Sequence, residues 1–100
     1  MAGLFTFGRW QVTAGKEEEF VTAWRDLADW TFANISGAGA AKLLRDQETP
    51  NVFLSFGQWE SLGAVQEWRT SQGFVDRIAN MRGMLEDFEA KMLDTMAEIG

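Results

Sequence analysis

Histidine and cysteine do most proton and acyl chemistry near neutral pH, and this 100-residue chain contains neither. That removes Cys–His and Ser–His nucleophilic catalysis and the familiar zinc sites in one step. Gly37 and Gly39 are too isolated to form a phosphate-cradling loop. The acidic residues are scattered along what read as wet helix faces, so no metal cluster is expected. What remains is aromatic surface: five Trp and eight Phe, with no Tyr. An aromatic-walled cavity between a sheet and its helices would use Trp68 and Phe74 from a strand-to-helix corner. Thr6, Gly8 and Trp10 from the first strand would join them, with Trp24 or Trp30 from the first helix. Arg9 would orient an anionic substrate if its side of the strand lines that cavity, and would otherwise make a surface or dimer ion pair. A Trp at helical spacing on an apolar face is more often core than ligand wall, so each of these residues also has a plain packing role.

The corner itself runs from Trp59 to Phe74. Ser61 stands where an N-cap is wanted, and Leu62, Val65 and Trp68 recur near helical spacing. Before it, Gly3 to Thr13 reads as a strand with large apolar groups on both sides. Lys16-Glu17-Glu18-Glu19 opens a helix with carboxylates in its first turn. Phe20, Trp24, Leu27, Thr31 and Ile35 form that helix's buried stripe. Trp30 falls on its flank, as a subunit contact, a pocket wall or a ring laid over its own helix. Ser36-Gly37-Ala38-Gly39 breaks the helix and begins a second strand, Ala40 to Gln47. The polar turn from Arg45 to Asn51 predicts a hairpin into a third strand, Asn51 to Glu60, again apolar on both faces. The second helix runs from about Leu62 to Thr70 and is interrupted by Thr70-Ser71-Gln72-Gly73. A further helical stretch places Phe74, Ile78, Met81 and Leu85 on one side. Residues 88–99 fit a helix by local propensity and a strand by alternation. No internal repeat or low-complexity segment competes with this picture.

One hundred residues make one domain, spanning 1–100. A hydrophobic content of 46% is generous for that size, and a second copy of the chain would cover the excess. The net charge of −6 excludes a nucleic-acid partner and disfavours anionic membrane surfaces. No run approaches a membrane span, and the start of the chain has no basic region leading an apolar core. The chain reads as cytoplasmic.

Trp59-Glu60-Ser61, followed by Trp68 and Phe74, resembles the corner of antibiotic biosynthesis monooxygenase-like domains, members of the dimeric α+β barrel group. Arg45-Asp46 with Pro50, and Asp87-Phe88-Glu89 before the last segment, match the same family. The resemblance implies a closing strand over 88–99, and hence a ferredoxin-like βαββαβ α+β fold with a four-stranded antiparallel sheet. It also implies a homodimer, packed through the bare face of the sheet as a dimeric α+β barrel. It further implies oxidation of phenols, quinols or polyketide-like rings by dioxygen with no cofactor, or haem degradation in a related branch. The haem branch needs an axial His where this chain has Arg77-Ile78-Ala79-Asn80, and a first-strand Asn where it has Gly8. The phenol branch sets an Asn four residues before the Trp and a Tyr six after, where this chain has Ala64 and Phe74. Two functions stay open. One is a cofactor-independent monooxygenase for a small planar aromatic; the other is a non-catalytic dimeric binding or association module.

Overall fold

A computed structural model describes residues 3–100. Its elements are β1 (Leu4–Val12), α1 (Glu17–Asn34), β2 (Ala38–Arg45), β3 (Val52–Trp59), α2 (Leu62–Thr70), α3 (Gln72–Arg82) and β4 (Leu85–Asp94). The four strands form one antiparallel sheet in the order β2-β3-β1-β4, the ferredoxin-like arrangement, with the second helical region divided into two.

Alternation along the strands sorts their side chains onto two faces. Trp10, Val12, Phe53 and Trp59 face the helices and are buried, as are Phe20 and Leu27 of α1, Val65 of α2 and Met81 of α3. The rear face carries Phe5, Phe7, Leu54 and Phe56 at its centre, with Leu44 and Leu93 exposed at its margins. Phe7 and Phe56 stand directly opposite one another, rings edge to face at 5.4 Å. No described element of the chain covers this face. Both faces of β1 and β3 are therefore apolar, but only the front one is closed by the chain itself.

Residues 88–94 are strand, as alternation and the resemblance imply. β4 begins earlier than the periodicity suggests: Leu85 belongs to the strand and pairs with Val12 instead of extending the helix. Residues 95–100 lie beyond it. β2 begins two residues before its expected start and ends two before its expected end, with an irregularity between Ala38 and Ala41. The helical break is also narrower than Thr70-Ser71-Gln72-Gly73. Ser71 alone separates α2 from α3, and Gly73 sits within the first turn of α3. A side chain at Gly73 would run into the Trp30 ring, so the glycine is there for close helix approach. Trp30 thus packs across onto α3, with the Arg77 guanidinium 5.0 Å from its ring centre. It is neither laid over its own helix nor part of the cavity described below.

The first helix opens with a tight turn in which Gly15 takes φ +94°, its N–H donating to the Glu17 carboxylate at 2.9 Å. Among the described residues no helix is long and apolar enough to cross a membrane.

Candidate functional site

Two serines build the corner. Ser61 caps α2 by accepting the Ala64 N–H at 3.2 Å. Ser71 ends α2, its hydroxyl donating to the Trp68 carbonyl at 2.6 Å, and starts α3 by accepting the Phe74 N–H at 3.3 Å. This single-residue bend brings Phe74 back against Trp68, their ring centres 4.5 Å apart. On its other side Trp68 lies 4.8 Å from Trp59, so the two tryptophans that bracket the corner pack against each other.

Between this aromatic corner and strands β1 and β4 lies a cleft of about 280 Å³. Trp68, Phe74, Trp10 and Phe88 wall it, and Thr6, Gly8 and Ser55 lie in its floor. Four of the six residues expected to bind substrate (Thr6, Trp10, Trp68 and Phe74) therefore meet around one space. Trp24 does not. It lines a second, smaller hollow of about 70 Å³ under α1, also touched by Trp10, Ser55 and Trp68. Arg9 does not either. β1 turns it to the rear face, where it makes a half-exposed ion pair with Asp87 at 3.9 Å.

Three indoles around these spaces have their N–H groups engaged. Trp68 donates to Thr31 Oγ1 at 2.8 Å, and Thr31 in turn donates to the Leu27 carbonyl at 2.7 Å. Trp10 donates to Ser55 Oγ at 2.9 Å, and Trp59 to Thr6 Oγ1 at 2.9 Å. Trp10 and Trp68 thus offer the cleft ring surface and no free donor. Among the described residues the ionised side chains that line it are Arg69 and Arg82 from the helices and Lys91 from β4, the last paired with Glu89 at 3.4 Å. Arg69 reaches toward Met92 Sδ at 3.7 Å across the opening, and no carboxylate pairs with either guanidinium among the described residues. Among the described residues no Asp or Glu lines the cleft.

The floor contains a feature that sequence reading missed. Thr6-Phe7-Gly8-Arg9-Trp10 and Ser55-Phe56-Gly57-Gln58-Trp59 are two copies of one pattern: hydroxyl, Phe, Gly, any residue, Trp. They lie side by side on β1 and β3, paired Thr6 to Gly57, Phe7 to Phe56 and Gly8 to Ser55. A local two-fold axis through the Phe7–Phe56 pair relates them. Each Trp leans over the glycine two residues before it and donates to the hydroxyl across the strand. A Cβ on Gly8 would sit 2.7 Å from Trp10 Nε1 and 2.9 Å from Ser55 Oγ. The space a first-strand Asn would need is thus filled by this indole–hydroxyl bond. The repeat itself stands open in the sequence; its meaning depends on a pairing register that only folding supplies.

An antiparallel ferredoxin-like sheet with an aromatic cleft under its helices defines the class of protein. The chain belongs to the family described as antibiotic biosynthesis monooxygenase, whose model matches residues 4–80. Among solved structures it is similar to SnoaB, a cofactor-independent oxygenase from Streptomyces nogalater, with 20% identity and a TM-score of 0.85 over 99% of this chain and 97% of that one. It is similar also to a putative antibiotic biosynthesis monooxygenase from Caulobacter crescentus CB15, with 21% identity and a TM-score of 0.87 over 96% and 92%. A conserved protein from Methanosarcina mazei Go1 shares 18% identity at a TM-score of 0.84 over 93% and 92%. No curated protein matches the sequence.

Proposed function

We propose that the protein is a cofactor-independent monooxygenase of a small planar phenol, quinol or polyketide-like ring, held in the cleft between Trp68 and Trp10. The observation that carries this reading is the cleft itself: among the described residues it has aromatic walls packed edge to face, two guanidiniums with no carboxylate partner, and no carboxylate in its lining. Family membership and the likeness to SnoaB support it.

The chain's residues bind and orient. Trp68 and Phe74 present ring faces and edges against which a flat substrate stacks, while the surrounding apolar walls keep water away from it. Among the described residues the lining contains no His, Asp, Glu or Tyr, and its one lysine, Lys91, is ion-paired with Glu89, so no residue is assigned as general base. Arg69 and Arg82 instead favour the ionised form of a phenol entering between them, since a nearby cation lowers the pKa of an acid. In the overall reaction the ring gives four electrons to dioxygen, whose O–O bond is broken. One oxygen atom joins the ring carbon as a carbonyl, and the other leaves as water with the two hydrogens lost from the substrate. Such a substrate supplies its own reducing power.

The rear face favours a second element of the proposal. Phe5, Phe7, Leu54 and Phe56 form a continuous apolar surface, and a second copy of the chain laid sheet to sheet would bury it in a homodimer. The same face, with no residue assigned as a base, favours the alternative of a dimeric module that binds an aromatic ligand without turning it over. Tryptophan fluorescence with added phenols, quinones and haem, followed by oxygen uptake, separates the two. Quenching with oxygen consumption supports the monooxygenase, quenching alone supports the binding module, and an unresponsive protein contradicts both.

A further inference from the structure

The two hydroxyls in the cleft floor have capacity that the fold does not use. A hydroxyl carries one hydrogen and two lone pairs. Thr6 Oγ1 and Ser55 Oγ each accept an indole N–H, from Trp59 and Trp10. Neither hydroxyl hydrogen has an acceptor among the described residues. Thr31 is the internal contrast: it too accepts an indole N–H, from Trp68, but it donates its own hydrogen to the Leu27 carbonyl. Ser55 is only 9% exposed, and both Ser55 and Thr6 line the cleft. Their register partners are Gly8 and Gly57, over which the Trp10 and Trp59 indoles lean, so each hydroxyl shares its place beside the glycine with an indole edge alone. A buried donor left without an acceptor is costly, and an oxygen supplied from the cleft would relieve that cost. Accepting from an indole N–H also polarises a hydroxyl and strengthens it as a donor.

We infer that Thr6 and Ser55 are the polar recognition elements of the cleft, donating their hydroxyl hydrogens to the oxygen substituents of a planar ring such as a quinone, ketone or phenolate. The repeated hydroxyl-Phe-Gly-x-Trp pattern is the device that builds the pair. The Trp fixes each hydroxyl through its acceptor side, and the Gly leaves room for that indole to reach it. This inference rests on the reading of the cleft as an aromatic-ligand site, but it does not require oxidation to take place. It assigns selection to the floor: an oxygenated ring satisfies two donors that a bare hydrocarbon leaves unmatched.

The test compares 5-hydroxy-1,4-naphthoquinone with naphthalene, by fluorescence titration of the full chain under nitrogen, corrected for absorption by the probe. Wild type should bind the quinone at least tenfold more tightly than naphthalene. Thr6→Val and Ser55→Ala should each weaken quinone binding by about tenfold and change naphthalene binding less than twofold. Thr6→Ser and Ser55→Thr keep the hydroxyls and should restore quinone binding. Removing Ser55 Oγ also strips Trp10 of its partner, so thermal melts accompany each variant; Thr6→Val, at the less buried site, decides the matter if Ser55→Ala does not fold. Folded variants that bind the quinone as wild type does, or that lose both probes equally, overturn the inference. A wild type that binds both probes equally overturns it while leaving the aromatic-ligand reading intact. A wild type that binds neither overturns that reading, and this inference with it.

Discussion

The two faces of the sheet are made by the same strands, one residue out of step, and they are finished differently. On the front, large aromatics are locked by hydrogen bonds as well as by contact: Trp10 to Ser55, Trp59 to Thr6, and Trp68 of the overlying helix to Thr31. On the rear, Phe5, Phe7, Leu54 and Phe56 have contact alone and remain partly open to solvent. Indoles bonded in fixed positions make a wall that keeps its shape around a ligand. Phenyl rings without polar anchors make an adaptable surface suited to another such surface. Front-face substitutions should therefore register in fold and ligand binding, and rear-face ones in association.

The largest effect is expected at Phe20, fully buried among Trp10 and Phe53. Phe20→Ala should cost about 4 kcal/mol in urea unfolding, enough to leave such a small domain barely folded. Gly8→Val comes next, because its added carbons drive into Trp10 Nε1 and Ser55 Oγ. A loss of about 2–3 kcal/mol is expected, with the cleft floor blocked. Trp68→Phe removes the donor to Thr31 and one wall of the cleft; it should cost about 1–2 kcal/mol and weaken ring binding while the oligomeric state holds. On the rear, Phe56→Lys should leave secondary structure intact and turn a pair of chains into single chains by sedimentation velocity. The smallest effect belongs to Arg9→Ala, whose half-exposed ion pair with Asp87 is worth no more than about 0.5 kcal/mol. Should Phe56→Lys unfold the chain outright, the contrast between the faces would collapse.

Local rules gave α2 to the residue, because an N-cap and an apolar stripe are written in adjacent positions; Ser61 does bond the Ala64 N–H. They failed where the deciding partner is distant in sequence. Phe88, Met92 and their Glu, Lys and Ala neighbours suit a helix, and only pairing with Trp10 and Thr6 of β1 makes them strand. Leu85 continues a helical spacing but is claimed by Val12. Trp30 finds Gly73 on another helix, a contact with no local signal. The aromatic members of the cleft could be named from the sequence since residue type announces them. The facing of Arg9 depended on strand parity relative to helices not yet placed. The roles of Ser55 and Gly57 needed the register that sets one five-residue pattern against its copy.

The indole N–H resonances of a 15N-labelled sample test the account most directly, each assigned by a Trp→Phe substitution. On titration with 5-hydroxy-1,4-naphthoquinone, the Trp10 and Trp68 signals should move together and saturate, while that of Trp30, packed on α3 away from the cleft, stays in place. A Trp30 shift without the other two, or no shift at all, would contradict a ligand site on the front of the sheet.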